Sequence, residues 1–260
     1  MGEWVDGLMG GKYKKRKNRD MEKYIEVKTK DNTYTLKNLE YNECYHSSEG
    51  ALKETYYKHV CVLEEMADDF GDEIRILDIC FGLGYNTFVS ILNRPKNKKL
   101  KIYSPELDLE LIKSLKNFKY PKEFEKIDHI IKSVSKDLYY KDDFIEIEVA
   151  NEDAREYIKN LEDIHIVYQD AFSPKVNQEL WTFEYFSDLK KILNPKGVIT
   201  TYSVATPVRC ALYKLGFKLY THKVDIIRKG TIASLRELNF PKVDFEEKLK
   251  RTKCRVYRDK

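Results

Sequence analysis

An α/β fold, its parallel sheet covered on both faces, is predicted by three observations. Short apolar runs of strand length recur along the chain, the first at residues 74–79. Stretches of helical periodicity alternate with them. The first run leads straight into a glycine-bearing turn, Cys80-Phe81-Gly82-Leu83-Gly84-Tyr85-Asn86, which opens onto a helical stretch. Such alternation implies βαβ units, whose crossover helices cover the sheet.

Before the alternation begins, residues 24–37 read as a hairpin. Ile25, Val27 and Thr29 alternate with polar residues, Asp31-Asn32 supplies a turn, and residues 33–36 return. An amphipathic helix follows, with Leu52, Tyr56, Val60, Leu63, Ala67 and Phe70 at helical spacing and Gly71 as its stop. Strands are then expected at 74–79, 100–103, 144–149, 164–168 and 198–202. A helical stretch at 86–93 follows the glycine turn. Another at 179–193 is closed by Asn194-Pro195-Lys196-Gly197. Residues 113–143 exceed what a crossover needs and are read as an insertion with helix of its own. After Gly216, residues 217–222 and 255–257 read as an antiparallel hairpin at the sheet edge. The expected organisation is a basic arm at 1–22, a small N-terminal β appendage at 23–48 and the α/β domain at 49–260.

At 260 residues the chain can bury one sizeable core with a small appendage. No window approaches the roughly 18 consecutive apolar residues of a membrane span. Residues 1–11 lack the charged and apolar regions of a secretory signal. The net charge of +4 does not announce a nucleic-acid binder, but its distribution is uneven. Lys12, Lys14, Lys15, Arg16, Lys17 and Arg19 form a basic run, read either as a solvated arm or as an arm that touches phosphates. The five cysteines form no C-x-x-C pair and are odd in number, which argues against a zinc site or a disulfide framework. Small core cysteines in a reducing cytoplasm are the expectation.

Ligands of an open α/β sheet bind beyond the carboxyl ends of its strands, so the residues just after each strand are the candidates. Gly82 and Gly84 follow the first strand and let backbone approach a ligand, or simply make a tight turn into the helix that Asn86 begins. Glu106 follows the second, placed to accept hydrogen bonds from ribose hydroxyls or to sit as an acid at a helix N-terminus. After the third strand, in Asn151-Glu152-Asp153-Ala154-Arg155, Asp153 is read either as an acceptor for an adenine amino group or as a helix N-cap. After the fourth comes Gln169-Asp170-Ala171-Phe172-Ser173-Pro174. A charge ending an apolar strand is costly to bury without a task, and Phe172 offers a face for a base. There is no phosphate-loop lysine signature, no histidine–cysteine metal cluster and no G-x-S-x-G elbow.

These residues resemble those of a known family. Gly50-Ala51-Leu52-Lys53-Glu54-Thr55, Phe81-Gly82-Leu83-Gly84-Tyr85-Asn86, Asp170-Ala171-Phe172-Ser173-Pro174-Lys175 and the stretch from Asn177 to Trp181 resemble its motifs. So do Thr201-Tyr202-Ser203 with Val208-Arg209, and the tail Tyr257-Arg258-Asp259. The family is the methyltransferase domain of the bifunctional tRNA 5-methylaminomethyl-2-thiouridine biosynthesis protein. The resemblance runs from about Lys28 to Asp259. Cys80 departs from it where glycine is usual, and Leu83 where threonine is common.

The resemblance implies a Rossmann-like class I S-adenosylmethionine-dependent methyltransferase fold, in a stand-alone form without the flavin-dependent oxidase half. The implied reaction methylates the exocyclic amine of 5-aminomethyl(-2-thio)uridine at the tRNA wobble position. Such a displacement needs alignment and the management of one proton, and no metal. The implied cofactor contacts are Glu54, Gly82, Gly84, Asn86, Glu106, Asp153, Ala154 and Asp170. The implied catalytic pair is Asp170, which orients the amine and accepts its proton, and Phe172, which packs on the uracil. The implied partner is tRNA, with no membrane and with a separate enzyme supplying the aminomethyl precursor. Trp181 is read first as packing, and Arg209 as pairing an acid or reaching a phosphate.

Two rival readings remain. A polyamine aminopropyltransferase on the same fold also places an Asp after the fourth strand, but Lys175 here would repel a polycation. A non-catalytic RNA-binding module would retain the pocket without the chemistry.

Overall fold

The computed structural model describes residues 23–222 and 228–260; the basic run at 12–19 lies outside the described residues. The chain enters through the expected hairpin. β1 (Tyr24–Lys28) pairs antiparallel with β2 (Tyr34–Asn38), and β3 (Glu43–Cys44) adds to β2. Asn32 closes the turn in the left-handed region at φ 64°, which asparagine tolerates better than most residues.

The amphipathic helix forms in pieces. α1 (Ala51–Thr55) runs into a π-helical turn (Tyr56–Val60) and then α2 (Cys61–Met66), and a 3-10 turn ends it before Gly71. Val60, Leu63, Ala67 and Phe70 are buried, as the periodicity requires. The π turn also buries Lys58 and His59, which the apolar stripe does not include. Such turns insert one residue into the helical repeat and re-aim its neighbours.

An eight-stranded sheet follows. Its strands are β4 (Glu73–Ile79), β5 (Lys99–Pro105), β6 (Tyr139–Lys141), β7 (Ile145–Ala150), β8 (Ile164–Gln169), β9 (Leu193–Thr201), β10 (Lys218–Tyr220) and β11 (Thr231–Ser234). Across the sheet the order is β10-β11-β9-β8-β4-β5-β7-β6. The five strands from β9 to β7 are parallel, and the pairs at both edges are antiparallel. Helices α3 (Tyr85–Leu92), α4 (Leu109–Ser114), α5 (Asp128–Asp137), α6 (Ala154–Tyr157), α7 (Phe183–Ile192) and α8 (Thr206–Lys214) supply the crossovers, and α9 (Phe245–Arg251) lies near the end. Both faces are covered. Ile74 and Ile76 of β4 pack into one hydrophobic cluster, Leu77 and Ile79 into another. A strand buried on both sides reads as a continuous apolar run for this reason. The insertion at 113–143 carries helix, as expected, and also brings β6 to the sheet edge.

Four expectations are corrected. The helix expected at 179–193 is divided. Gln178–Trp181 is a 3-10 turn, and Thr182 caps α7 by accepting from the Tyr185 N–H at 3.2 Å. The residues Asn194 to Gly197 do not stand outside the sheet. They bulge within β9, whose register against β8 slips between Ile164, opposite Leu193, and Ile166, opposite Val198. The antiparallel partner of β10 is β11, not residues 255–257; Tyr257 instead bridges to Thr182. Finally, Cys210 and Cys254 are joined as a disulfide, their Cα atoms 5.5 Å apart across 44 residues of chain. Cysteine spacing held no sign of it, because the pair is made by α8 meeting the C-terminal segment. Cys44, Cys61 and Cys80 are free. No helix among the described residues is long and apolar enough to cross a membrane.

Candidate active site at the carboxyl end of the sheet

Strand order reverses at β4, which has β5 on one side and β8 on the other. A crevice forms at such a point because the crossovers on the two sides lead away from each other. Here it is a cavity of about 1650 Å3. That exceeds the roughly 300–1,000 Å3 typical of a single small-molecule site and leaves room for a donor and an acceptor together. Glu54, Glu106, Asp153, Ala154, Asp170 and Phe172 line it. Gly82, Gly84 and Asn86 do not line the cavity; they stand behind its wall.

The glycine turn works by backbone shape. Cys80, Gly82 and Gly84 all have positive φ, at 65°, 52° and 69°. A side chain at Gly84 would collide with the rings of Phe81 and Phe88, and one at Gly82 with the ring of Tyr45. Cys80 takes the same left-handed conformation with a side chain attached, at a cost of roughly 1–2 kcal/mol. Burial pushes its thiol well up, so it is not a reactive thiolate.

Glu106, at the tip of β5, accepts from the N–H groups of Asp108 at 2.8 Å and Gly82 at 2.9 Å. Burial outweighs these hydrogen bonds and pushes its carboxyl up. Asp153 caps α6, accepting from the Arg155 N–H at 2.8 Å, and is exposed on the cavity rim. Arg155 in turn makes two hydrogen bonds to Asp259, while Arg258 pairs with Glu184 at 2.7 Å. The tail thus ties α6 to α7.

Asp170 follows β8 directly and lines the cavity. Its Oδ2 accepts from Asn86 Nδ2 at 3.0 Å, and the same nitrogen donates to buried Asp78 at 3.1 Å. His59 Nε2 faces Asp170 Oδ1 at 3.7 Å, and its Nδ1 lies 2.6 Å from the Thr200 hydroxyl. Burial alone would push the Asp170 carboxyl up. His59, with Asn86 and His46, outweighs it and holds the group below the usual carboxylate range. On the helix that precedes β4, Glu54 accepts from Lys58 at 2.5 Å and from the Ser47 N–H at 2.7 Å.

The loop after Asp170 is held from three sides. Trp181 Nε1 donates to the Phe172 carbonyl at 2.7 Å, and the Tyr202 hydroxyl donates to the Ala171 carbonyl at 3.0 Å. Glu43 of β3 accepts from both the N–H and the hydroxyl of Ser173. Packing is therefore only part of the task of Trp181. The Phe172 ring sits against Tyr45 at 4.9 Å and Tyr41 at 5.4 Å between centroids, so the three-stranded sheet completes an aromatic wall. Among the described residues Arg209 neither pairs an acid nor lines the cavity; it donates to Thr231 Oγ1 and the Gly230 carbonyl. Lys175 is exposed and does not line the cavity, so it does not decide against a polyamine.

Lys58, His59, Tyr41, Glu43 and Tyr45 were not legible as site residues. Lys58 lies off the apolar stripe and His59 is a polar residue at its edge, while the others belong to the small N-terminal sheet, remote in sequence from every strand end of the parallel sheet. Replacing Glu43 by Gln is expected to loosen the Asp170 loop, raising KM for the acceptor by about five- to ten-fold while donor affinity stays constant. Steady-state kinetics alongside donor titration would check it.

A family model described as S-adenosyl-L-methionine-dependent methyltransferase matches residues 120–235. The crystal structure of MNMC2 from Aquifex aeolicus aligns with a TM-score of 0.77 and 33% identity, over 90% of this chain and 77% of that one. An uncharacterized protein of Methanocaldococcus jannaschii is 32% identical over 228 residues, 84% of this chain and 61% of its own length. The tRNA 5-methylaminomethyl-2-thiouridine biosynthesis bifunctional protein MnmC of Campylobacter fetus is 24% identical, over 80% of this chain and 35% of that protein. A polyamine aminopropyltransferase of Prochlorococcus marinus is 24% identical, over 98% of this chain and 90% of that protein. The chain thus spans less than two thirds of the length of the archaeal and Campylobacter relatives.

Proposed function

The chain belongs to the MnmC2 family of S-adenosyl-L-methionine-dependent methyltransferases, and we propose that it methylates the exocyclic amine of 5-aminomethyl(-2-thio)uridine at the wobble position of tRNA. The observation that carries this reading is the pairing of Asp170 with the aromatic wall of Phe172, Tyr45 and Tyr41. An anionic carboxylate beside flat rings suits an amine carried on a base. The names of the MnmC relatives support the choice of tRNA.

The residues present fit the methyl donor. Glu106 offers carboxylate oxygens to ribose hydroxyls at the end of β5, and Asp153 and Ala154 border the next position along the sheet. Glu54, Glu106 and Asp170 line the cavity, and their carboxyl groups suit a sulfonium cation. The donor, when bound, supplies a methyl group activated by that positive sulfur.

Asp170 accepts a hydrogen bond from the substrate amine and so aims its lone pair. Only the neutral amine has a lone pair to attack with. Because its carboxyl is held below the usual range, Asp170 is a firm hydrogen-bond acceptor and a poor store for the released proton, which passes on to water. Phe172 packs against the uracil and keeps the amine in line. Asn86 acts from behind the wall by fixing Asp170. The unit at 49–260 carries the chemistry, and residues 23–48 close one side of its cavity. The reading implies a separate enzyme that supplies the aminomethyl precursor, and a cytoplasmic setting where tRNA is matured.

The test is transfer of labelled methyl to tRNA bearing the unmethylated 5-aminomethyluridine, followed by nucleoside mass analysis. Methyl on that nucleoside is the expected result. A second reading, aminopropyl transfer to a polyamine, is favoured by the near full-length match to the Prochlorococcus enzyme. Transfer from decarboxylated donor to putrescine, with none to tRNA, would select it.

A further inference from the structure

Lys58 is the only fully buried lysine among the described residues. Its side chain is 6% exposed and lies on the wall of the cavity. One of its N–H groups is given to Glu54, whose other oxygen takes the Ser47 N–H. The ammonium also lies 5.4 Å from the centre of the Tyr202 ring. The surrounding charged and titratable groups are Asp170 and His59 beside it, with His46 and His222 beyond.

A buried ion pair is a weak source of stability, because desolvation cancels much of the attraction. What the pair offers is two opposite charges side by side on a cavity surface. The free end of the methyl donor carries the complementary set, an α-carboxylate and an α-ammonium. The position also agrees. Glu106 follows β5, Asp170 follows β8 and Tyr202 follows β9. Neighbouring strands lie about 4.8 Å apart, so a ligand with its ribose at Glu106 reaches Asp170 after two strand steps, roughly 10 Å. Lys58 and Tyr202 stand just past that point. The π turn is what turns Lys58 into the cavity wall.

We propose that Lys58, with Glu54, holds the amino-acid end of the methyl donor, and that the Lys58 ammonium makes the enzyme select a donor bearing a carboxylate. This rests on the methyltransferase reading of the cavity and sharpens it. A decarboxylated donor, the one an aminopropyltransferase uses, offers Lys58 no carboxylate beyond that of Glu54.

The test is calorimetric titration of the full chain with S-adenosylhomocysteine and with 5′-methylthioadenosine, which lacks both charged groups. Wild-type protein is expected to bind the first at least ten-fold more tightly. Lys58→Met is expected to lose about 10- to 100-fold for S-adenosylhomocysteine and less than three-fold for 5′-methylthioadenosine, and Lys58→Arg to keep most of the preference. Equal losses for both ligands would mean a structural role and overturn the assignment, as would no loss for either. If Lys58→Met does not fold, wild-type protein decides. Preference for S-adenosylmethionine over its decarboxylated form by ten-fold or more supports the proposal, and equal affinity overturns it. Wild-type protein that binds none of these ligands overturns the reading of the cavity itself. Binding with equal affinities leaves that reading standing and removes only Lys58.

Discussion

Replacing Asp170 by Asn is expected to lower kcat for methyl transfer by about 10²–10³-fold while leaving donor affinity within about three-fold. The substitution keeps one side-chain oxygen, so Asn86 retains an acceptor and the loop toward Phe172 keeps its other ties to Trp181, Tyr202 and Glu43. What is lost is the negative charge that holds the amine in line. The wild-type pH profile should be equally informative. The Asp170 carboxyl is held below its ordinary value, so it stays ionised throughout an assay range of about pH 6–9. The rate should therefore rise with pH as the acceptor amine loses its proton, with one limb and no bell. Single-turnover rates with saturating donor would measure both effects. An Asp170→Asn variant that turns over at the wild-type rate removes Asp170 from the mechanism.

The second large effect concerns stability. Asp78 continues the β4 face of Ile74 and Ile76, where the apolar run is interrupted by a fully buried carboxyl. It accepts from Thr87 at 2.8 Å and Asn86 at 3.1 Å. Burial still dominates and pushes it up to about 7. Its folded pKa thus lies above its unfolded value. The stability it contributes is complete below about pH 4 and is lost as pH rises through about 7. A shift of this size corresponds to roughly 4 kcal/mol in total, of which about 2–3 kcal/mol falls between pH 5 and 8. His46 and His222 act with the opposite sign. Burial lowers both, so the protein gains stability from them as pH rises through their ordinary range. The clean quantity is the difference between Asp78→Asn and wild type. The variant should gain about 2–3 kcal/mol relative to wild type on going from pH 5 to pH 8. Denaturant titrations at the two pH values would measure it, and a difference that does not change with pH would show that Asp78 is not the titrating group. Because Asn86 also fixes Asp170, the variant should turn over more slowly as well.

Hydrophobic pattern was sufficient for most of the fold. The five parallel strands and the helix after the glycine turn depend on local periodicity, and a two-sided buried sheet writes that periodicity directly into the chain. The candidate acids at strand ends were legible for a related reason: topology forces ligands to the carboxyl edge, so Glu106, Asp153 and Asp170 could be picked without knowing any distance. The edge of the sheet was less legible. β11 is four residues long, and its pairing with β9 and β10 depends on where the chain returns after α8. The Cys210–Cys254 disulfide was invisible for the same reason.

Glu54 shows where the two kinds of information meet. A motif placed it near the cofactor, but its sequence alone did not separate it from an exposed helix charge. Its neighbour Lys58 had no such signal. A lysine off the apolar stripe of an amphipathic helix belongs in solvent by default, and the π turn overrides that default. Tyr41, Glu43 and Tyr45 reach the cavity because the small sheet folds back over it, a contact between segments more than a hundred residues apart in the case of Glu43 and Ser173. The chain by itself therefore determined the sheet, its order of alternation and the acids at its carboxyl edge, since these follow from short-range pattern and a general rule of topology. Only the tertiary structure decided which cations and rings surround those acids, because that depends on the packing of remote segments and on a one-residue irregularity in a helix.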